Sequence, residues 1–290
     1  MKEISIIIPT YERPHLLQRA IYSIHTNFVE KIEVIVCDDS ENSNTISENK
    51  KIIELLCREK QFEIYYLHNS HNKGVSGARN CGIEKSKGMW IVLLDDDDEF
   101  TEGYVDYLLQ EIKKNSHIDL YWSDIFLKQS YSRSLIRKKF FIKNENDSVN
   151  QIITIGISYG VCLRKTCFLE CHGFDESLPV GEDTDLILNL LSHCCKIQHI
   201  EQFGIIKHED TDFMLSKDIK KYAKNHIVVK LLNKYYSFFA NNITLYCGMI
   251  RRGQFIYLSN KMPITAFLFS FRCIIRYHKR ILLIKKLLKS

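Results

Sequence analysis

Short apolar runs alternate with amphipathic stretches along the first hundred residues of the chain. Residues 4–8, 32–37, 62–67 and 90–94 are mostly apolar, which is the pattern of strands buried on both faces of a sheet. Between these runs apolar residues recur at helical spacing, and Pro14 suits the first turn of the first helix. Strands that alternate with helices predict right-handed βαβ units. We therefore expect an α/β fold with a mainly parallel central sheet flanked by helices.

The second hundred residues carry weaker patterns of the same kind. We expect, in order, a helix over residues 101–114, strands over 120–127 and 157–163, a helix over 184–191 and a strand over 197–206. Residues 129–150 are polar and basic, and long segments of this kind are often mobile lids. After residue 216 the strand patterns fade, and helical, basic segments take over.

The composition is that of an ordinary globular protein. The chain has 290 residues, of which 45% are hydrophobic and 26% charged, enough for one large domain or two small ones. The apolar start is interrupted by Ser5 and stopped by Pro9, so it does not match a secretory signal. We therefore expect a cytoplasmic protein.

The ten cysteines are scattered along the chain without a CxxC pair. In a protein without a secretory signal this favours reduced thiols over disulfides. We assign Cys194-Cys195 and the Cys171-His172 pair to packing, because neither comes with a second pair at zinc-finger spacing.

Charge is distributed unevenly along the chain. The 35 acidic residues all lie within the first 218 positions, together with 25 of the 40 basic ones, whereas the last 72 residues carry 15 basic residues. Residues 263–290 place apolar residues at helical spacing between basic ones, as in helices that lie on an anionic membrane surface. Residues 235–250, the longest uncharged stretch, are too few to span a bilayer. A helix that packs on its own acidic domain is the alternative, and no nucleic-acid-binding motif is apparent.

Asp95 to Asp98 form a run of four carboxylates directly after the apolar run at residues 90–94. Side by side they repel one another, and a divalent cation such as Mg²⁺ or Mn²⁺ removes that cost. Ligands of parallel sheets bind outside the carboxyl ends of the strands, where these residues would lie. A solvated acidic turn is the alternative. A calcium loop of the EF-hand type is a poor match, because its sixth position requires glycine and is Phe100 here.

Six short motifs occur in a fixed order within residues 4 to 210. They are Pro9-Thr10-Tyr11-x-Arg13, Asp38-Asp39-x-x-Asn42, Asn72-x-Gly74-x-x-x-Ala78-Arg79-Asn80, Asp95-x-Asp97-Asp98, Gly173-Phe174-Asp175-Glu176 and Gly181-Glu182-Asp183. In this combination the chain resembles the inverting glycosyltransferases of family 2, which have the nucleotide-diphospho-sugar transferase fold called GT-A. The resemblance implies a nucleotide-sugar-binding half over residues 1–98 and an acceptor half over 99–212. Residues 213–290 then form a basic helical extension.

By this resemblance the residues that follow the first two strands bind the nucleoside. Asp39 accepts a hydrogen bond from the uracil ring, and Thr10 and Glu12 flank the base and the ribose. The alternative for Asp38 and Asp39 is that they cap the N-terminus of the next helix.

The next motif is expected to meet the rest of the nucleotide. Asn72 and Gly74 let the backbone approach it, and Arg79 donates to it or braces the acidic run. A purely structural ion pair is the alternative for Arg79.

For the acidic run, the resemblance implies that Asp97 binds Mn²⁺ or Mg²⁺ directly and that Asp95 contacts the ribose or a metal-bound water. Asp98 supports both. The family often has a small residue where Asp96 stands, so we expect Asp96 to add a solvated charge beside the nucleotide sugar. His208 matches a position where some family members supply a further metal ligand, and a structural histidine is the alternative.

Inversion requires a carboxylate that takes the proton from the attacking acceptor hydroxyl. Asp183 matches the family's general base, and Glu182 beside it orients the acceptor or the base. An acidic first turn of the helix over 184–191 is an alternative that does not exclude this role. Asp175 and Glu176 are expected to shape the wall of the acceptor site.

The resemblance implies an inverting, Mn²⁺- or Mg²⁺-dependent glycosyltransferase of the hexosyltransferase class. We expect it to move a sugar from a nucleotide sugar, a UDP-sugar by preference, to a glycan or lipid-linked glycan in surface polysaccharide or lipopolysaccharide assembly. The basic tail would place it on the inner face of the cell membrane, and nucleic acid is not an expected partner. The alternatives are a nucleotidyltransferase and a catalytically silent nucleotide-sugar-binding protein.

Overall fold

The computed structural model describes residues 1–129, 134–157, 160–208 and 219–287. The chain divides into two compact units. The larger unit comprises Met1–Ser177 with Glu182–Asp212, and the smaller one comprises Leu178–Gly181 with Phe213–Ser290.

The larger unit is built on one sheet that has nine strands within the described ranges. The strands are β1 (Ile4–Thr10), β2 (Ile32–Asp38), β3 (Glu63–His68), β4 (Trp90–Leu93), β5 (Glu99–Phe100), β6 (Leu120–Lys128), β7 (Leu135–Lys138), β8 (Cys162–Arg164) and β9 (Ile197–His208). Their order is β3-β2-β1-β4-β8-β6-β9-β5, with β7 paired to β6. The first four strands are parallel, as are β6 and β9. Strand β8 joins these two groups by antiparallel pairing to β4 and β6.

Helices follow most of these strands, as the alternating pattern predicted. They are α1 (Pro14–Tyr22), α2 (Ser43–Glu59), α3 (Val75–Lys85), α4 (Tyr104–Lys114), α5 (Glu145–Ile155), α6 (Lys165–Glu170) and α7 (Glu182–Ser192), with a short 3-10 helix at Val29–Lys31. The predicted α/β fold with a flanked, mainly parallel sheet is confirmed, and β5, β7 and β8 add antiparallel pairs to it.

Burial follows the periodicity from which the elements were predicted. Every residue of β1, β2 and β4 is buried, because helices cover both faces of the parallel part of the sheet. Helix α1 buries Leu17, Ala20 and Ile21, which lie on one face of the helix. Each such side chain contributes about 1.5–3 kcal/mol through removal from water, apart from the smaller alanine. The buried strands determine where the sheet ends, and the polar motifs that follow them therefore lie at its edge.

The prediction of one long mobile loop over residues 129–150 is wrong for the described part of that segment. Strand β7 pairs antiparallel with β6, from Ile125 opposite Lys138 to Lys128 opposite Leu135. Helix α5 then begins after Asn144, whose side chain accepts a hydrogen bond from the Asp147 backbone at 3.0 Å. Residues 130–133 lie outside the described ranges.

The strand predicted over residues 157–163 also needs correction. Strand β8 begins only at Cys162, after Gly156, whose φ of +80° turns the chain out of the preceding helix. Residues 158 and 159 lie outside the described part of the chain.

The smaller unit is helical, as predicted for the end of the chain. Its helices are α8 (Ile219–Lys224), α9 (Ile227–Lys234), α10 (Tyr236–Asn241), α11 (Ile243–Ser259) and α12 (Pro263–Leu287). Helices α11 and α12 pack through aromatic rings such as Tyr257 against Phe269, and the Tyr246 hydroxyl donates to the Cys273 carbonyl at 3.0 Å. Among the described helices, none combines the length and apolar character that crossing a bilayer requires.

Candidate active site

Three loops meet at the carboxyl ends of neighbouring parallel strands. Strand β1 lies between β2 and β4, and Thr10 at its end is in register with Asp38 at the end of β2. The Asp39 backbone N–H donates to the Thr10 carbonyl at 2.9 Å, and the Leu94 N–H donates to the Ile7 carbonyl at 3.1 Å. The sheet therefore brings the first, second and fourth motifs to one edge.

The acidic loop after β4 gathers carboxylate oxygens at this edge. Oxygen atoms of Asp95, Asp97 and Asp98 all lie within 4.8 Å of one another. The side chains of Asp95 and Asp97 are 21% and 15% exposed, whereas that of Asp98 is buried. Hard oxygen donors at this spacing suit Mg²⁺ or Mn²⁺. The residues present therefore fit the predicted cation, with Asp95 and Asp97 on the accessible side.

Asp96 points inward, so its interpretation as a solvated charge is wrong. Its carboxylate is fully buried, accepts a hydrogen bond from the Thr10 hydroxyl at 2.7 Å and pairs with the Arg13 guanidinium at 2.6 Å. Burial raises the pKa of Asp96 to about 7, although the Arg13 charge acts in the opposite direction. Arg13 also donates to Asp97 at 3.1 Å. The pair thus anchors the acidic loop to the turn after β1.

Asp98 is the second inward carboxylate, and its partner is Lys207 near the end of β9. The Lys207 ammonium lies 3.2 Å from Asp98 Oδ2, and the His208 backbone N–H donates to Oδ1 at 3.1 Å. Burial raises the pKa of Asp98 to about 7, opposed by the Lys207 charge. Burial alone would lower the pKa of Lys207, but the neighbouring carboxylates, Asp98 above all, raise it. The ion pair is consistent with the expected supporting role of Asp98.

The ring of His208 is directed to another carboxylate. Its Nε2 lies 2.6 Å from Glu99 Oε1, and the cluster of Asp95, Asp97 and Asp98 does not include the ring. The predicted metal ligation by His208 therefore stays a prediction, and it requires the ring to leave Glu99.

Arg79 connects the acidic loop to the predicted general base. It lies on α3, is 3% exposed, and donates to Asp95 Oδ1 at 2.7 Å and to Asp183 Oδ1 at 3.2 Å. Glu182 Oε1 is 4.0 Å away. Burial alone would lower the pKa of Arg79, but these three carboxylates raise it. Arg79 thus forms an ion-pair network between the acidic loop and the start of α7, and its role towards a nucleotide stays a prediction.

Asp183 and Glu182 form the first turn of α7. The Ile157 backbone N–H donates to Asp183, and a Cβ on Gly156 would lie only 2.8 Å from Asp183 Oδ2. Burial raises the pKa of Asp183 against the effect of Arg79. Burial likewise raises the pKa of Glu182 to about 7, and the charge of Asp183 adds to this. Asp183 remains 24% exposed, so it combines a raised pKa with an open face.

The two aspartates after β2 have different surroundings. Asp38 is fully buried and accepts hydrogen bonds from the Tyr66 hydroxyl at 2.5 Å and the Asn49 amide at 2.8 Å. Asp39 is partly exposed and accepts from the Gly74 backbone at 2.7 Å. The alternative that these aspartates cap the next helix is wrong, because the N-cap of α2 is Asn42.

Thr10 and Glu12 were predicted to lie beside the base and the ribose. Their side-chain oxygens form hydrogen bonds within the protein. Thr10 is buried and donates to Asp96. Glu12, at φ +55°, accepts from the backbone of Glu41 at 2.9 Å and from the Thr45 hydroxyl at 2.6 Å. Both side chains therefore shape the turn from within, and the predicted contacts to a nucleotide remain predictions.

The loop before α3 is fastened by Glu176. This carboxylate accepts from the Asn72 backbone at 3.1 Å, from the Asn80 amide at 2.7 Å, and lies 2.9 Å from His71 Nδ1. A Cβ on Gly77 would lie 1.9 Å from the Asn72 carbonyl, so the loop packs directly on the helix.

Asp175 forms a turn with Ser177. It accepts from the backbone and hydroxyl of Ser177 at 3.1 and 2.6 Å in an exposed turn. The predicted acceptor-site roles of Asp175 and Glu176 are not tested by these contacts.

The sequence did not predict the roles of two basic side chains that pair with the acidic loop. Arg13 was visible as the last residue of the first motif, but its partner Asp96 could not be read from spacing. Lys207 precedes His208, and the pattern gave no sign that it would be buried against Asp98.

The comparisons place this geometry among known proteins. The family model described as glycosyl transferase family 2 matches residues 5–170. The chain is 30% identical over 208 residues to "UDP-Glc:alpha-D-GlcNAc-diphosphoundecaprenol beta-1,3-glucosyltransferase WfaP" of Escherichia coli, covering 69% of this chain and 74% of that protein. It is 32% identical over 111 residues to "GalNAc(5)-diNAcBac-PP-undecaprenol beta-1,3-glucosyltransferase" of Campylobacter jejuni, covering 38% of this chain. The aligned part spans 35% of that protein.

The solved structure of S. aureus TarS 1-349 in complex with UDP-GlcNAc superposes with a TM-score of 0.63. The match covers 93% of this chain and 89% of TarS 1-349 at 16% sequence identity. At that identity the likeness establishes a shared fold, of the GT-A type.

The pairing of Arg13 with Asp96 yields a prediction about stability. Arg13→Gln leaves a buried carboxylate without its cation, and we expect it to lower the free energy of unfolding by about 3–5 kcal/mol. The folded-state pKa of Asp96 is raised to about 7, whereas an unfolded aspartate has a pKa of about 3.9. Between these two pH values the folded protein keeps a proton on Asp96 that the unfolded chain has lost. Stability from this group is therefore lost as pH rises towards 7.

Without Arg13 the pKa of Asp96 rises further, and the loss extends to higher pH. Urea unfolding should show a larger deficit of Arg13→Gln at pH 8 than at pH 5. Adding Asp96→Asn should restore most of the stability, and Arg58→Gln, at an exposed position of α2, serves as the control. An equal deficit at both pH values would contradict the burial of a charged Asp96.

Proposed function

The chain belongs to glycosyl transferase family 2, and on that premise we propose that it moves a sugar from a UDP-sugar to a lipid-linked glycan in surface polysaccharide assembly. The names of two relatives support this substrate class, because both describe glucosyltransferases whose acceptor is a sugar or an oligosaccharide linked to undecaprenol diphosphate. The name of WfaP includes a UDP-glucose donor, and TarS was solved with UDP-GlcNAc.

We assign recognition of the uracil ring to Asp39. Asp38 is buried and already holds Tyr66 and Asn49, so it is closed to a ligand. Asp39 is partly exposed at the end of β2, and each carboxylate oxygen retains a second lone pair beside its bond to the loop before α3. The bond from Gly74 to Asp39 would also tie that loop to the base.

We assign the cation to Asp97 and the contact with the ribose or a metal-bound water to Asp95; both are accessible carboxylates of the acidic loop. When bound, Mn²⁺ or Mg²⁺ supplies positive charge for the departing nucleoside diphosphate. On the buried side of the acidic loop, Arg13 pairs with Asp96 and Lys207 pairs with Asp98. These pairs keep the backbone of the acidic loop in place whether or not the cation is bound.

We assign the general base to Asp183, with Glu182 orienting the acceptor. In a single displacement with inversion, the acceptor hydroxyl attacks the anomeric carbon while a carboxylate takes its proton. The contact of Arg79 with both Asp95 and Asp183 carries this assignment. One guanidinium contacts both carboxylates. The proposed base, Asp183, therefore lies close to the acidic loop that is assigned to the leaving nucleoside diphosphate, as a single displacement requires.

Helix α12 supports a contact with an anionic membrane surface. Its exposed residues include Ile264, Phe267, Leu268, Phe271 and Ile274. The helix has basic residues from Arg272 onward and contains no acidic residue. Helices that lie on a membrane surface typically insert apolar side chains into the lipid–water interface. Their neighbouring basic side chains contact the anionic lipid headgroups. A lipid-linked acceptor would be reached from such a position.

Asp97→Asn tests the cation assignment. We expect a loss of transfer activity of about 100-fold or more, because an amide lacks the charge that holds the cation. We also expect Mn²⁺ to raise the melting temperature of the wild type and not that of Asp97→Asn, which gives a readout independent of activity. Glu102→Gln, on the exposed side of the neighbouring turn, should behave like the wild type. Full turnover by Asp97→Asn would refute the ligand assignment.

Asp183→Asn tests the base. We expect kcat to fall by about 10²- to 10⁴-fold with unchanged affinity for UDP, and Glu170→Gln, exposed at the end of α6, to leave both unchanged. Because burial raises the pKa of Asp183, its carboxylate becomes protonated at a higher pH than an ordinary aspartate, whose pKa is about 3.9. Wild-type kcat/KM should therefore decline as pH falls towards that value. Transfer that survives in Asp183→Asn would place the base elsewhere.

Phe267→Ser combined with Phe271→Ser tests the membrane contact. Removing two exposed rings from α12 should lower binding to vesicles that contain phosphatidylserine by about tenfold or more. Leu55→Ser, at an exposed position of α2, is the matched control. Co-sedimentation that is unchanged in the double variant would count against a membrane-binding helix.

A further inference from the structure

Three thiols and a carboxylate lie together away from the candidate active site, near the amino-terminal ends of β4 and β6. A carboxylate oxygen of Asp119 and the sulfur atoms of Cys167 and Cys195 all lie within 4.8 Å of one another. The Cys195 thiol also interacts with the thiol of Cys171. Cys167 and Cys171 are buried, and Cys195 and Asp119 are partly exposed, so the group lies at the edge of the protein interior.

Two chain segments deliver the sulfur atoms. Cys167 lies on α6 and Cys171 follows four residues later at the end of that helix, a spacing that puts both on one side. Cys195 follows α7, where Cys194 at φ +64° reverses the chain and the Cys195 N–H donates to the Leu190 carbonyl at 3.1 Å. Sequence spacing alone missed this cluster, because the turn after α7 supplies the third thiol.

Hydrogen bonds fix the three segments that carry the cluster. The Lys196 N–H donates to Asp119 Oδ2 at 3.0 Å, and the Asp119 N–H donates to the Lys196 carbonyl at 2.9 Å. The Asn189 amide donates to the Cys171 carbonyl at 2.7 Å. Arg164 Nε lies 3.0 Å from Asp119 Oδ1. The backbone around the thiols is therefore held in place by contacts that do not use the sulfur atoms.

We propose that Cys167, Cys171 and Cys195, together with Asp119, form a binding site for one thiophilic cation of the Zn²⁺ class. Around tetrahedral Zn²⁺ with bonds of about 2.3 Å, sulfur atoms are about 3.8 Å apart. The oxygen of Asp119 and the sulfur atoms of Cys167 and Cys195, which lie within 4.8 Å of one another, reach that spacing through shifts of about 1 Å. Cys171 joins them as the fourth ligand through its contact with the Cys195 thiol. Each thiol releases a proton when its sulfur bonds to the metal. The positive charge of Arg164 beside Asp119 offsets part of the negative charge that three thiolates and a carboxylate leave around a divalent cation.

The cluster and the acidic loop are expected to select different metals. Soft thiolates favour Zn²⁺ and exclude Mg²⁺, whereas the carboxylates at the acidic loop favour Mg²⁺ or Mn²⁺. A cation at the thiols would join α6 and the end of α7 to the start of β6. Because α7 begins at Glu182 and Asp183, the site would fix the far end of the helix that carries these carboxylates.

Cobalt titration of the full chain under reducing, oxygen-free conditions tests the proposal. We expect one Co²⁺ per chain with a thiolate-to-cobalt charge-transfer band in the near ultraviolet, and Zn²⁺ should displace it. Cobalt held by the acidic loop lacks that band, because its ligands are oxygen atoms. Zn²⁺ should also raise the melting temperature.

Cys195→Ser should lose both the band and the Zn²⁺-dependent rise in melting temperature, whereas Cys194→Ser, at the exposed neighbouring cysteine, should retain them. Circular dichroism checks that Cys195→Ser is folded. The absence of the band in the reduced wild-type chain would overturn the proposal, and that result does not depend on any variant. Persistence of the band in Cys195→Ser would also overturn it. So would a Cys171–Cys195 disulfide in the isolated protein together with no cobalt binding after reduction.

Discussion

The contact of Arg79 with two carboxylates from distant parts of the chain is the constraint on which the site depends. Its guanidinium is buried and donates to Asp95 after β4 and to Asp183 at the start of α7, with Glu182 close by. Burying charges is costly unless they are paired. One cation faces three carboxylates here, so the local charge remains negative. A surplus of this kind raises carboxyl pKa values and favours the binding of a further cation.

The same balance explains why four consecutive aspartates are tolerated at the end of a buried strand. Asp96 and Asp98 point inward, each against its own cation, Arg13 or Lys207. Asp95 and Asp97 stay on the accessible side. The inward pairs fix the backbone of the acidic loop, and the outward pair keeps the charge that a metal or a donor substrate would meet. The fold thus separates the buried, paired aspartates from the accessible ones within one turn.

Periodicity and motif order predicted much of the fold and the family, and both are confirmed. The apolar runs located β1, β2 and β4 because strands buried on both faces consist mostly of apolar residues. What the sequence could not predict depends on tertiary partners. Asp96 was expected in solvent, but the direction of the turn after β4 sends it to Arg13. Residues 129–150 were expected to form a loop because β7 is only four residues long and is specified by its pairing with β6. The site roles of residues such as Asp39 and Asp183 stay predictions.

A crystal structure of the full chain with UDP and Mn²⁺, with anomalous data collected at the manganese edge, tests the central claim most directly. The account predicts a single strong manganese peak bonded to an Asp97 oxygen, with the uracil ring against Asp39 and Arg79 still between Asp95 and Asp183. A manganese peak or a nucleotide bound away from the carboxyl ends of β1, β2 and β4 would contradict it.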